Sequence, residues 1–296
     1  MRTLNRTIIQ KDFEIKELKE DLGIAKDTIS SQEKEIKHLN VFKNLYQYRE
    51  LLKTNVHKEI RGKYKGSFLG VLWSFLNPLL MVAVYAIVFP YIMRTNSIDN
   101  YLIFLIVGVI PWNYFTTVIT SGSNCVWLNG GIIKKVYFPR EILPISVVTS
   151  GAVNFIISTI IILVFLFASG LGITQYILLY PVILLIQYIL LIGIAFIVSS
   201  ITVYFRDLEH IIGVVLMAAF YGTPIVYKLE QLPSNLQVLM QLNPMTHLIN
   251  AYRDIFYYQQ MPDFKMLGIL LAIALGLTVI GYFIFKKLQK GFAEEL

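Results

Sequence analysis

The stretch RGKYKGSFLGVLWSFLNPLLMVAVYAIVF, Arg61–Phe89, changes character at Phe68. Arg61, Lys63 and Lys65 lie before that point; from Phe68 to Phe89 there is no Asp, Glu, Lys, Arg or His. The apolar run continues to residue 93, long enough at about 1.5 Å per residue to cross about 30 Å of hydrocarbon. Cations crowd its amino-terminal end, so that end faces the cytoplasm.

Outward from this span the pattern repeats. Apolar runs at 101–121, 142–169, 177–205, 211–227 and 264–285 bring the expected spans to six, with 68–93 as the first. Composition agrees: of 296 residues, 56% are hydrophobic and 15% charged, and mean hydropathy is +0.61. A soluble domain carries about 25% charged residues. Residues 1–66 hold 15 of the 26 Lys and Arg. Lys134, Lys135, Arg140, Arg206, Lys286, Lys287 and Lys290 fall in alternate connections and the final segment, so positive-inside orientation places both termini in the cytoplasm. The expected fold is all-α, a polytopic protein of the cytoplasmic membrane.

Several classes drop out. The first 40 residues are charged throughout and lack the apolar core of a secretory signal. A single cysteine, Cys125, rules out a disulfide scaffold or a Cys-based metal site. The net charge of +7 sits at span ends rather than in a nucleic-acid-binding stripe, so no nucleic acid partner is expected. No GxxxxGK[ST] phosphate loop occurs. The first, second, third and fifth runs contain no ionisable Asp, Glu, Lys, Arg or His, and the fourth meets Arg206 just past its end. Ion-coupled transport and intramembrane proteolysis therefore lack their working groups. A transport protein of this kind takes its energy from another subunit.

Before the first span, residues 1–40 place Ile15, Leu22, Ile29 and Ile36 at a, and Leu18, Ala25, Gln32 and Leu39 at d, of a heptad repeat. This reads as a short coiled-coil extension pairing with a second copy, or as a lone solvated helix. In 41–66, Val41, Leu45, Tyr48, Leu52, Val56 and Ile60 line one stripe of an amphipathic helix suited to the membrane interface. The membrane-spanning body is then 67–296. Within it, 228–263 is too polar to span, and Pro233 and Asn243-Pro244 divide it into two short helices, read as a re-entrant hairpin.

With these motifs in order, the sequence resembles the permease subunits of type-2 ABC exporters, in particular those that export O-antigens, teichoic acids and rhamnose-rich glycans. The likeness is carried by Arg61–Phe89, IKKVYFPREILPIS (Ile133–Ser146), YFRDLEHI (Tyr204–Ile211) and LNPMTHLINAYRDIFY (Leu242–Tyr257). It implies a homodimer with two cytoplasmic ATPase subunits, moving a lipid-linked polysaccharide; the alternatives are an exporter of a drug or another lipid, and a membrane-embedded glycan-modifying enzyme whose candidate polar cluster is Asp254 and His247 with Arg253. ATP and Mg then belong to the partner ATPase, and the chain itself has no catalytic residues, cofactor or metal. By the same likeness, Lys134, Lys135, Val136, Tyr137, Phe138, Pro139, Arg140 and Glu141 are the segment that couples to the ATPase. Positive-inside anchoring explains their charges but not the apolar Val136-Tyr137-Phe138.

Trp73, Tyr85 and Phe89, with Asn77, are read as a glycan-facing wall, because aromatic faces stack on sugar rings; core packing is the competing explanation. Arg206, Asp207 and Glu209 are a gate, an ATPase contact, or an ordinary helix-end ion pair. Arg61, Lys63 and Lys65 meet an entering lipid diphosphate or simply anchor the span. Lacking a phosphate loop, the purified chain alone is expected to hydrolyse no ATP; steady turnover by the isolated protein in a phosphate-release assay would refute the permease assignment.

Overall fold

The computed structural model describes residues 48–64, 66, 68–93, 98–136 and 138–296. The expected coiled coil at 1–40 lies outside the described residues, as do Val41 and Leu45. Leu51–Leu296 form one compact unit. All described regular structure is helical: α1 (Arg49–Tyr64), α2 (Trp73–Met93), α3 (Tyr101–Leu128), the single turn α4 (Gly130–Ile133), α5 (Ile142–Ala168), α6 (Tyr180–Tyr204), α7 (Leu208–Tyr221), α8 (Ser234–Gln241), α9 (Pro244–Phe256), α10 (Phe264–Leu288) and the short α11 (Phe292–Glu295).

Among the described residues, four helical stretches are long and apolar enough to cross a membrane: Tyr101–Leu128, Ile142–Ala168, Gln175–Tyr204 and Phe264–Glu295. The other two expected spans correspond to shorter apolar helices, Phe75–Phe89 within α2, and α7. The difference at α7 has a local cause. The apolar run continues to Tyr227, but Gly222 and Pro224 interrupt the backbone, and Pro224 supplies no N–H for a helical bond. The chain instead closes a turn in which Thr223 Oγ1 donates to Ala219 O at 2.6 Å and Tyr227 OH to Tyr221 O at 2.6 Å. Ile225, Val226 and Tyr227 are buried in this turn rather than extending the helix.

The most enclosed of the long helices is α3, packed against α2, α5, α6, α7 and α9. Where it meets α5, Gly151 lies under Tyr114 and Val118; a Cβ there would sit 2.7 Å from Val118 Cγ2. The tightest crossing joins α6 to α10. A Cβ on Gly193 would lie 2.6 Å from the Thr278 backbone nitrogen, and one on Gly281 would strike the Gly193 carbonyl. Thr278 Oγ1 donates to Ile189 O across the same crossing at 2.8 Å. In hydrocarbon, where burying apolar surface gives helices little reason to associate, small residues that let backbones touch supply dispersion contact instead.

In the region 228–263, Asn243 caps α9 by accepting from the Met245 N–H at 3.0 Å, with Pro244 at the first helical position, where its missing N–H costs nothing. Two short helices, α8 and α9, flank that cap, as the punctuation predicts.

Gly281→Leu should destabilise the bundle by about 1–3 kcal/mol through overpacking, read as a lower midpoint in a detergent thermal-unfolding assay. Gly268→Ala, where nothing stands within 4 Å of the added carbon, should hold or raise that midpoint. Equal effects from the two would refute the close crossing.

Candidate functional site

Because α3 runs from one end of the bundle to the other, side chains at its two termini define two separate polar regions. Near its start, Arg253 of α9 is 2% exposed and donates from Nη1 to Pro224 O at 2.6 Å and from Nη2 to Ile225 O at 2.7 Å. Its guanidinium lies 3.5 Å from the centroid of the Phe104 ring. Burial lowers its pKa to about 9, so it is still protonated at neutral pH. Two carbonyl dipoles and a ring face thus hold a buried cation against α3 and the turn after α7. Asp254 beside it has its pKa raised by burial, and accepts from Gln260 Nε2 at 2.7 Å. Tyr101 OH donates to Val226 O at 2.8 Å, tying the first turn of α3 to the same loop.

In the interior, Gln187 of α6 is fully buried. It donates from Nε2 to Pro111 O at 3.0 Å and accepts from Tyr252 OH at 2.9 Å. One amide therefore joins α3, α6 and α9. Gln187 does not figure among the residues singled out from the sequence, and Arg253 does so only beside Asp254 and His247, not as a joint between helices. The available signal is a lone Gln inside YPVILLIQYILL and an Arg within the apolar face of INAYRDIFYY.

At the other end of α3, four segments converge: α1, residues 127–141, the end of α6, and residues 286–296. Lys58 Nζ donates to Asn129 Oδ1 at 3.1 Å. The Arg206 guanidinium lies 5.5 Å from the Trp127 ring. Tyr204 OH donates to Leu288 O at 2.7 Å, satisfying one of the carbonyls that a helix end leaves unpaired. Lys286 pairs with Glu141, and Arg140 Nη1 donates to the Gln289 carbonyl.

The sequence-predicted residues of this region divide accordingly. Lys134, Lys135 and Val136 are exposed; Phe138 is buried; Pro139 and Arg140 are half-buried; Glu141 is buried against Lys286. Tyr137 and Lys65 lie outside the described residues. Arg61, Arg206, Asp207 and Glu209 are exposed, and Lys63 falls at the end of α1. Together with Trp127, Leu128, Ile132 and Val136, all exposed, Lys134 and Lys135 give this end an apolar surface bordered by cations.

The proposed wall on α2 is less uniform. Asn77 is exposed and Trp73 half-buried. Tyr85 packs edge-on to Phe89, with centroids 5.6 Å apart, and against Phe220 of α7 at 5.3 Å; Phe220 also meets Trp112 of α3 at 6.0 Å. Phe89 is buried. Tyr85 thus joins α2 to α7, whose Phe220 in turn meets α3; Phe89 is buried beside Tyr85, and Asn77 is the open position.

A family profile described as ABC-2 type transporter matches residues 50–257. The chain belongs to the ABC-2 type transporter family. It is an integral membrane permease subunit of that family rather than an enzyme. The chain is 37% identical over 260 residues to the O-antigen export system permease protein RfbA of Myxococcus xanthus, covering 87% of this chain and all of that protein. An RfbA of Klebsiella pneumoniae is 35% identical over 86% of this chain and 97% of its own length. The polysialic acid transport protein KpsM of Escherichia coli is 24% identical over 77% of this chain and 87% of its own.

For this ABC-2 permease, Gln187→Leu and Tyr252→Phe should each lower thermal stability by about 0.6–2 kcal/mol. The double variant should cost less than the sum, because the two share a hydrogen bond. Strict additivity in the double-mutant cycle would refute the link.

Proposed function

We propose that this ABC-2 permease is the transmembrane half of an ATP-driven exporter that moves a lipid-linked polysaccharide outward across the cytoplasmic membrane. Two copies of the chain work with two cytoplasmic ATPase subunits, which bind ATP and Mg. The substrate class is supported by relatives named for O-antigen export and polysialic acid transport. In this reading the chain spans the membrane six times, with α2 and α7 as the first and fifth spans and both termini cytoplasmic. Helix α1 lies in the inner interface, and 228–263 forms a re-entrant hairpin on the outer side.

The observation that carries the division of labour is the exposed surface of residues 127–136. Trp127 and Leu128 in the last turn of α3, with Ile132 and Val136 just past it, leave apolar area uncovered, with Lys134 and Lys135 beside it. Exposed aromatic and aliphatic groups rimmed by charge suit a protein partner. The ATPase seats there, and its closure on ATP pushes the segment. Phe138, Arg140 and Glu141, directed into the permease, take that displacement inward rather than touching the ATPase. Arg61, Lys63 and Lys65 lie where an anionic lipid headgroup enters, and Arg206, Asp207 and Glu209 stand at the neighbouring helix turn as a gate. The glycan passes along α2 and α7, with Asn77 and Trp73 as contacts, and Tyr85 and Phe89 setting how far the two helices separate.

Ile132→Asp with Val136→Asp places charge on the docking surface without entering the bundle. The double variant should insert normally yet lose copurification with its ATPase by about tenfold or more, since central apolar contacts carry about 2 kcal/mol each. Undiminished copurification would overturn the docking assignment. Asn77→Ala should lower surface polysaccharide while leaving assembly intact; unchanged export would remove Asn77 from the path.

A further inference from the structure

Residues 129–141 join α3 to α5, and among the described residues of this connection only the single turn α4 is helical. A connection of this kind moves independently of the bundle unless its side chains are held. Here it is held by residues 286–296, and from more than one side. Lys286, in the last turn of α10, pairs with Glu141, a carboxylate left 5% exposed. The Arg140 guanidinium donates to the Gln289 carbonyl and stands 5.9 Å from the centroid of Phe292. Phe292 is fully buried, 5.5 Å from Phe285 and 6.3 Å from Tyr204 by ring centroids. Leu296 closes on Gly130 so tightly that a Cβ there would lie 3.3 Å from the leucine Cβ.

These contacts have a mechanical consequence. A displacement of 129–141 is delivered to α3 and α5 through the covalent chain, and to α10 through Lys286, Gln289 and Phe292. From α10 it passes to α6, because the Gly193–Gly281 crossing leaves no side chain between the two backbones to absorb movement.

We propose that residues 286–296 are a clamp that positions the 129–141 segment and makes α10 and α6 move with it, Lys286 and Phe292 being its positioning residues. The proposal rests on the reading of 127–136 as the ATPase seat, and it adds a second route from that seat into the bundle. Glu141 and Lys286 are a transmitting pair and not a surface ion pair; Phe292 is the pivot that fixes the distance between the segment and the end of α6.

The test uses the full-length permease with its cognate ATPase in its own host, comparing Lys286→Glu, Glu141→Lys and the two combined, and Phe292→Ala against Phe292→Leu. Three quantities are read: copurification of the ATPase, ATP turnover by the detergent-purified complex, and polysaccharide on the cell surface. Lys286→Glu should keep copurification and turnover within about twofold, while surface polysaccharide falls at least about fivefold. The charge-exchanged double variant should recover most of the loss, and Phe292→Leu should export well where Phe292→Ala does not. A purely structural role would instead lower copurification and turnover together with export. Wild-type export from Lys286→Glu, or a double variant no better than the single, overturns the clamp. Should Lys286→Glu fail to accumulate, the Phe292 pair decides, equal export from Ala and Leu counting against the proposal. Ile132→Asp with Val136→Asp separates the two readings. If that variant keeps its ATPase, the seat is wrong whatever the clamp does; if it loses the ATPase while Lys286→Glu exports normally, only the clamp fails.

Discussion

Between Gly193 of α6 and Gly281 of α10 the two backbones meet with no side chain between them, a contact only glycine permits. Hydrocarbon gives apolar helices little reason to prefer each other over lipid, so the long helices hold together where surfaces fit closely enough to gain dispersion contact. Fixing α10 on α6 also fixes where α10 ends. Tyr204 at the end of α6 then reaches the Leu288 carbonyl, and Phe292 falls against Tyr204 and Phe285. The polar grip of Lys286 and Gln289 on Glu141 and Arg140 follows from that placement. A helix shifted by one turn would carry Lys286 about 5.4 Å away from Glu141.

The same exclusion of water governs the buried polar groups. Arg253 is held by the Pro224 and Ile225 carbonyls, one on each terminal nitrogen, and by the face of Phe104, without a second buried charge beside it, while its Nε is buried with no hydrogen-bond partner. Its protonated state at neutral pH makes those carbonyls its solvent. Gln187 works on a smaller scale: it uses the Pro111 carbonyl as acceptor and the Tyr252 hydroxyl as donor, so both ends of the amide are paired. Polar groups inside the bundle thus serve as joints between helices.

Much of this is legible in the sequence, for a physical reason. Long apolar runs bounded by cations report helices and their ends, because hydrocarbon leaves the backbone few alternatives. The Asn-Pro at 243–244 announces a cap, since Asn accepts from the helix start and Pro has no donor to waste there. Hydropathy reads less well where backbone chemistry interrupts an apolar run: Ile225, Val226 and Tyr227 count as apolar, yet Gly222 and Pro224 end the helix before them. Burial within 134–141 is similarly hidden. Val136 and Phe138 are both apolar, but one is exposed and the other buried, and the partner of neighbouring Arg140, the Gln289 carbonyl, lies 149 residues away. Gln187 is visible as an anomaly, whereas its partners, Pro111 and Tyr252, lie 76 and 65 residues away.

The contacts that hold α2 and α7 differ in kind from those that hold α6 and α10. Few residues of α7 are buried, Ile212 and Phe220 among them, while Val214, Val215 and Met217 face outward. Helix α2 likewise exposes Leu80, Val84 and Ile87. What ties both to α3 is a set of rings, Tyr85, Phe220 and Trp112, meeting at tilted or edge-on angles. Such ring contacts contribute about 0.5–1.5 kcal/mol each beyond their burial, and edge-on and offset arrangements are close in energy. A ring can slide and turn on another while keeping most of its contact. Two backbones in direct contact through glycine forfeit roughly a quarter to a half of their dispersion contact on separating by about 0.5–1 Å. Strain applied to the bundle is therefore expected to collect where the joints are aromatic, so that α6 and α10, locked to each other, move as one body relative to α2 and α7.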